Sequence, residues 1–547
     1  MTAVVDSARA RTLKTLANEP FDLLVIGGGI TGAGIARDAV LRGLKVALVE
    51  KDDFASGTSS KSTKLIHGGL RYLEQGELKL VFESVNERNR LMRLARHLVR
   101  PLPFLVARYR GDRRWLVTLD LGLWLYEALC FFGGYKNHRT YRTQKTLELE
   151  PALRSEGLSG GVLYYDAMTD DARLTLENAL DASASGAVLL NHARAGRLVT
   201  EGDTISGVTV TDELSRASFD VRAKLVVNAT GPWSDEVRAL AGEPPLLKPT
   251  KGIHLVVDAK RLPVNNALVM THPKDKRVMF TIPWGLGRTA IGTTDTFFDG
   301  KPDTVEPTAD DVAYLLEAGN HYYPDAKLTT ADVISTWSGL RPLLKPPDAG
   351  AGASQVSREH VIVERPGFIT IAGGKLTTYR TMAAEVVDRV VAQLGLKQAS
   401  TTDDRPLPGA AGFMESDEAL HAFTRSLEGP SVDAATARAF VEMYGGRAKQ
   451  VLARCHQAPD TAARLDDELP WMMGQVDEAL DHELAETLDD VLSRRLTLVL
   501  RAKDQGLGIA PAVAARMASR RGWTAERTAA ELEGYRAAVA SSRRWQR

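Results

Sequence analysis

Gly27, Gly29 and Gly32 follow the apolar run Phe21–Ile26 at G-x-G-x-x-G spacing, within FDLLVIGGGITGAGIARDAVLRGLKVALVE. Glycines so placed serve dinucleotide chemistry. The first permits a tight turn, the second lets backbone N–H groups approach a pyrophosphate, and the third lets the following helix lie close to the strand. A helix opening at Ile30 and Thr31 then turns its positive dipole end toward the phosphates. Glu50 closes a second apolar run, residues 45–49, where a carboxylate can accept hydrogen bonds from an adenosine ribose. Strand, glycines, helix, strand and acid in register identify a dinucleotide site in preference to a chance glycine-rich turn.

Further segments carry groups that such a ligand needs. Residues 51–77, KDDFASGTSSKSTKLIHGGLRYLEQGE, are poor in apolar side chains and rich in hydroxyls. Thr58, Ser59, Ser60, Lys64 and Leu65 there can offer hydroxyl and backbone donors to a flavin pyrophosphate, after which the segment hands an arginine to an anionic substrate. Its composition also suits a solvated loop. KLVVNATGPW, residues 224–233, is an apolar strand running into Asn228, Ala229 and Gly231; it fits the closure of a FAD-binding sheet over adenine and pyrophosphate, or a central strand entering a turn. TWSGLRP contains Gly339, and ITIAGGKLTTYR repeats the opening logic of strand, Gly373-Gly374 and helix through Lys375, Leu376 and Thr377. That second helix start suits the isoalloxazine end. FAD is preferred to a nicotinamide cofactor because these segments provide contacts at both ends of a longer, extended molecule.

The chain that positions these groups has 547 residues, 44% hydrophobic and 25% charged, so two or three domains with ample core are expected. Its 69 basic and 69 acidic residues cancel, and no bulk electrostatic argument favours nucleic acid. Two distant cysteines, Cys130 and Cys455, point to a reducing compartment and no metal site. Residues 1–19 lack the apolar core of a secretion signal and suggest a mobile lead-in to a cytoplasmic protein. Residues 78–98 have the apolar spacing of an amphipathic helix. Residues 116–135 are the most hydrophobic stretch but contain Asp120 and Glu127. Burial in a substrate domain is favoured over a dip into one leaflet aided by Arg108, Arg110, Arg113 and Arg114. Residues 246–296 predict a mostly antiparallel sheet, 397–412 a linker, and 413–547 a helical domain.

Taken in order, GGGITGAGIARDA, GTSSKSTKLIHGGLRYLE, VVNATGPW, KGIHLVV, SGLRPL and GGKLTTYR resemble the FAD-dependent, quinone-linked glycerol-3-phosphate dehydrogenase family over about residues 20–395. LDDVLSRRLTLVL resembles the C-terminal domain of that family, and KLIHGGLRYLE is the most specific stretch. The resemblance implies an α/β fold: a Rossmann-like FAD-binding domain of the glutathione-reductase and amino-acid-oxidase class, a β-sheet substrate domain, and an all-helical C-terminal domain. The expected partition is 20–105, 155–240 and 335–396 for FAD, 106–154 and 241–334 for substrate, and 413–547 for the helices.

The implied reaction is oxidation of sn-glycerol 3-phosphate to dihydroxyacetone phosphate, by hydride transfer from C2 to flavin N5, with electrons passed to a membrane quinone. The phosphate asks for arginine forks, a role the resemblance gives to Arg71, Arg341 and Arg358 with Tyr72 beside them. His254 is the candidate base for the C2 hydroxyl, since histidine titrates near neutrality. Lys375 would stabilise negative charge near the flavin, or act as base if its pKa were depressed. Each has a structural rival: Arg341 before Pro342 could hold a turn, and His254 could be a core histidine. The alternatives are a glycerol-3-phosphate oxidase using dioxygen and an amine or amino-acid oxidase of the same fold. A peripheral position on the inner face of the cell membrane follows from the quinone acceptor, and a homodimer stays open.

Overall fold

The computed structural model describes residues 8–69, 77–112, 116–129, 134–345, 359–413 and 415–547. Phe21–Ile26 runs at the centre of the first sheet, parallel to Ser218–Asn228 on one side and Val46–Val49 on the other. Val188–Leu190 extends it in parallel beyond Val46–Val49, Phe368–Gly373 does so beyond Ser218–Asn228, and antiparallel His360–Arg365 closes that edge. These strands read as continuous apolar runs because both faces are covered. Leu23, Val25, Leu225 and Val227 pack against the helices Ile30–Leu41, Asp171–Ala184 and Tyr379–Gln393. Leu24, Ile26 and Val226 face the opposite core with Val208 and Val210, from the antiparallel ribbon that continues Ser218–Asn228.

Leu16 joins that second core, so residues 8–18 are a docked helix and not the mobile lead-in expected. Arg9 fixes it, with Nη2 2.5 Å from Asp212 and 2.8 Å from the Asn191 carbonyl. The apolar spacing of its roughly three turns is too short to announce a helix by pattern alone.

Among the described residues the second sheet has ten strands and is antiparallel except where Ala267–Thr271 lies parallel to Arg100–Tyr109. Thr250–Asp258 pairs with Arg288–Gly292 on one edge and Val333–Arg341 on the other. Leu158–Met168 and Val333–Arg341 belong to this sheet, although the sequence partition put the first stretch and residues 335–341 of the second with the cofactor domain; their pairings with Arg100–Tyr109 and Thr250–Asp258 draw them across.

The amphipathic stretch becomes the helix Leu78–Leu94, packed through Val81 and Val85 against Tyr126 of the helix Leu116–Leu129. The latter is not the buried helix expected. Leu123 and Tyr126 are buried, whereas Leu121, Trp124 and Leu125 are exposed at 64%, 48% and 45%, beside exposed Leu78 and Phe82 of its neighbour. Among the described residues no helix is long and apolar enough to cross a membrane.

Helices from Asp417 onward enclose a separate core around Phe440, Tyr444, Trp471 and Val476. Buried arginines tie this unit to the rest. Arg173 grips Glu483 at 2.7 and 2.8 Å, and Arg501 lies 3.8 Å over the Trp284 ring while its Nη1 donates to the Trp284 carbonyl at 3.0 Å.

Candidate active site

A cavity of about 520 Å³ opens where the carboxyl ends of the parallel strands meet the second sheet. Its floor is the turn Gly27–Gly29 and the start of the helix Ile30–Leu41. Gly32 lets that helix come in: a Cβ there would stand 1.9 Å from the Gly27 carbonyl oxygen. Gly29 caps the helix with no side chain, and Ser59 Oγ accepts from the Ile30 N–H at 2.9 Å. Glu50 stands at one end, its carboxylate accepting from the Gly28 N–H at 2.6 Å and the Asp52 N–H at 2.9 Å. Gly373, Gly374, Lys375, Leu376 and Thr377 form the other end. Thr377 Oγ1 accepts from the His67 N–H at 3.2 Å, joining this turn to the hydroxyl-rich segment.

The second sheet supplies the opposite wall. His254 is buried, its ring stacked on Trp337 with centroids 4.6 Å apart and planes 8° from parallel. Nε2 lies 3.0 Å from Thr63 Oγ1. Burial, and then the charges of Arg341 and Lys64, hold the imidazole pKa well below its ordinary value, so the ring is neutral at physiological pH. Arg341 lies flat across Gly252, where a Cβ would come within 2.6 Å of Nη2. Its guanidinium donates to Asp295 at 3.1 Å, Thr293 Oγ1 at 3.1 Å and the Thr294 carbonyl at 3.2 Å.

Of the residues predicted from sequence, Gly27, Gly29, Ile30, Thr31, Glu50, Thr58, Ser59, Leu65, Ala229, Gly231, His254, Gly339, Arg341 and Gly373 to Thr377 line the one cavity. Four do not. Lys64 binds Asp171 at 2.6 Å and the Ser60 carbonyl at 3.0 Å, with its ammonium over the Trp284 and Trp337 rings. Ser60 therefore serves that lysine. Asn228 is spent on shaping its own turn, donating to the Ser234 carbonyl at 3.1 Å and accepting from Thr230 Oγ1 at 2.7 Å. Gly32 acts through helix packing. Arg71, Tyr72 and Arg358 lie outside the described residues. Sequence reasoning missed Lys61, Thr63, Trp233, Gly252 and the wall Ala193–Gly196, which also line the cavity. Lys61 and Thr63 lie in the hydroxyl-rich segment, Trp233 in VVNATGPW and Gly252 in KGIHLVV, so only the wall at Ala193 falls outside every motif.

A family model described as FAD dependent oxidoreductase matches residues 22–380, and one described as the C-terminal domain of alpha-glycerophosphate oxidase matches residues 400–528. A glycerol-3-phosphate dehydrogenase of Synechocystis sp. is 39% identical over 545 residues, covering 96% of this chain and 97% of its own. The chain belongs to the FAD-dependent glycerol-3-phosphate dehydrogenase family. Another member, the aerobic glycerol-3-phosphate dehydrogenase of Staphylococcus saprophyticus, is 38% identical over 84% of each chain. The solved structure of the glycerol-3-phosphate dehydrogenase from Bacillus halodurans, complexed with FAD, superposes with a TM-score of 0.80 at 33% identity, covering 98% of this chain and 97% of that one. The cofactor of the family fits the residues present here: a side-chain-free helix start for the pyrophosphate, a carboxylate at one end for the ribose, and a second glycine turn with Lys375 at the other, all on one cavity.

Glu50 gives that fit a pH signature. Burial pushes its carboxyl up to about 7 against the pull of the Asp52 and Gly28 N–H groups, which favour the ionised form; the Asp52 charge adds a smaller rise and Lys51 opposes it. Ribose hydroxyls donate more strongly to the ionised form, so binding lowers the pKa and must expel a proton below pH 7. FAD affinity of the apo-protein, titrated by flavin fluorescence, is expected to weaken by up to about tenfold per pH unit below that point. Glu50→Gln should flatten the dependence.

Proposed function

We propose that this enzyme oxidises sn-glycerol 3-phosphate to dihydroxyacetone phosphate and passes the electrons to a membrane quinone. The observation that carries the reading is the pairing of Arg341 with neutral His254 on neighbouring strands of the FAD cavity, in a chain 39% identical to a glycerol-3-phosphate dehydrogenase. FAD supplies, when bound, the acceptor for the hydride from C2. Arg341 binds the phosphate of the substrate in this reading, together with Arg71, Tyr72 and Arg358. Three oxygen acceptors already fix the plane of its guanidinium, so little side-chain entropy is lost on binding. His254 takes the C2 hydroxyl proton. Its resting basicity is low because burial and the Arg341 charge disfavour the imidazolium. A dianionic phosphate beside Arg341 offsets that charge and raises the basicity of the ring when substrate is present. Trp337 stacking and the Thr63 contact hold the ring in place for the transfer. Lys375 stabilises negative charge at the flavin end.

The test is the visible spectrum of the flavin-loaded protein under anaerobic conditions, before and after addition of sn-glycerol 3-phosphate. Bleaching of the flavin band is expected; an unchanged band would sink the reading and turn attention to amines and other hydroxy compounds. In the same assay His254→Ala should slow flavin reduction at saturating substrate by about 10²–10⁴-fold. A wild-type rate would move the base to Lys375. Arg341→Ala should act chiefly on KM, raising it roughly tenfold to a hundredfold, the value of a charged hydrogen bond.

The quinone acceptor requires access to a membrane. Leu121, Trp124 and Leu125, with Leu78 and Phe82 on the adjoining helix, leave apolar side chains in solvent, and exposed Arg110 precedes the helix Leu116–Leu129 in the chain, a combination suited to an anionic lipid surface. The protein is expected to float with anionic liposomes at low salt, and Trp124→Asp should reduce flotation. Wild-type protein left wholly at the bottom of the gradient would count against attachment. The match of the C-terminal domain to that of an oxidase keeps dioxygen as the second reading of the acceptor. Reoxidation of the reduced protein by air at a rate that sustains turnover, without quinone, would favour it.

A further inference from the structure

Residues 51–54 follow Glu50, and Lys51 lines the cavity at the end assigned to the adenosine of FAD, with Asp52 to Phe54 behind it. Asp53 among them is completely buried. Arg495 holds it as a fork, with Nη1 2.5 Å from Oδ2 and Nη2 3.0 Å from Oδ1, while Arg494 Nε reaches Oδ2 at 2.5 Å and Asn191 Nδ2 donates to Oδ1 at 3.0 Å. Both arginines belong to the C-terminal helical domain. They sit on Asp490–Arg495, a π-helical turn whose wider winding brings two consecutive guanidinium groups onto one carboxylate. The turn is itself anchored. Arg494 also binds Asp489 at 2.8 Å and Asp490 at 2.9 Å, Arg495 Nε donates to the Glu483 carbonyl at 3.0 Å, and Asp490 meets His192 Nε2 at 2.9 Å.

The other side of the loop is the cofactor site. The Asp52 N–H is one of the two donors on the Glu50 carboxylate, the Asp52 carbonyl accepts from the His192 N–H at 2.5 Å, and the Phe54 ring fills the space left by Gly28, where a Cβ would stand 2.8 Å from it. Asp53, His192 and Asp490 bring ligand atoms within 4.8 Å of one another, but two guanidinium groups occupy the cluster and exclude a cation. It is an ion-pair network. A carboxylate stays in such a place only while its partners do, so the course of residues 51–54 is set from the helical domain.

We propose that Arg494 and Arg495 are positioning residues for FAD, through which the C-terminal domain holds the Glu50 loop in its binding geometry and sets how tightly the adenosine end is retained. The inference rests on the FAD site alone, not on the identity of the substrate.

Full-length protein stripped of FAD and carrying Arg495→Met tests it. The Kd for FAD, from fluorescence titration, is expected to rise about 10–100-fold, the usual effect of removing a group that orients a ligand-contacting one. With FAD saturating, the KM for sn-glycerol 3-phosphate should stay within twofold of wild type. Arg495→Lys, which keeps the charge but not the fork, should recover part of the affinity. Arg516→Met, which breaks the ion pair of Arg516 with Asp477 inside the helical domain, should leave the Kd within twofold. An Arg495→Met Kd within twofold of wild type would overturn the proposal, as would an equal rise in Arg516→Met. If Arg495→Met does not accumulate as folded protein, Asp53→Asn decides in its place: it preserves the shape and leaves both arginines their other partners, and an unchanged Kd there rejects the proposal. Wild-type protein that failed to take up FAD would instead reject the cofactor site itself.

Discussion

The close contact between Gly32 and the Gly27 carbonyl oxygen is the constraint on which the site depends. A side chain at Gly32 would push the helix Ile30–Leu41 away from Phe21–Ile26, and the N–H groups of its first turn would no longer lie at the carboxyl edge of the sheet. Several features follow from that placement. The first turn has no capping side chain of its own, so Ser59 arrives from a distant loop to accept from Ile30, and the loop is thereby drawn across the mouth of the turn. Glu50 can satisfy Gly28 only because the adjoining strand ends at the same level.

The hydroxyl-rich segment after Glu50 also joins the two sheets. Thr58 Oγ1 donates to the Leu340 carbonyl at 2.6 Å, Trp337 Nε1 donates to the Ser62 carbonyl at 3.1 Å, and Thr63 meets His254. Segment and strand Val333–Arg341 are so close that a Cβ on Gly339 would come within 2.7 Å of the Lys61 carbonyl oxygen. The second sheet is thus registered against the first largely by bonds to backbone carbonyls, which fix geometry without adding charge. Charge is kept for Arg341 and Lys64, whose fields both act on His254.

What the sequence made legible was local. Gly27, Gly29, Glu50 and the turn Gly373–Gly374 each stand where an apolar strand ends, a pattern spacing alone displays, and all of them line the cavity. Lys64 misled because its partner, Asp171, lies 107 residues on in the chain, and a lysine in a polar loop looks available until that partner is known. Asn228 misled for the opposite reason: its side chain turns back on its own loop, as asparagine often does. The helix Leu116–Leu129 looked buried because composition cannot tell which face meets protein. Gly252 stood within KGIHLVV beside His254 without being singled out, since its importance is the guanidinium laid across it by a strand some ninety residues away. The helical domain was visible as composition, but its contacts were not, because Glu483, Arg495 and Arg501 look like ordinary charged helix surface.

Those contacts bear on both ends of the cavity. At the adenosine end Arg494 and Arg495 meet Asp53. At the substrate end Arg501 lies over Trp284, Trp284 stands 5.6 Å from Trp337, and Trp337 is stacked on His254. Leu500 shares the core of Trp284 and Trp337, so this face of the second sheet is covered by the helical domain. Removal of that cover would wet two indole rings and admit water behind His254. The same burial lowers the Arg501 pKa to about 10, a sign of how little solvent reaches the column. An imidazole in that setting keeps its low proton affinity because water cannot stabilise the imidazolium from behind, and the charge that alters it must come from the cavity side. The helical domain therefore shields His254 from water on its far side, from a position in which it touches neither end of the cavity directly.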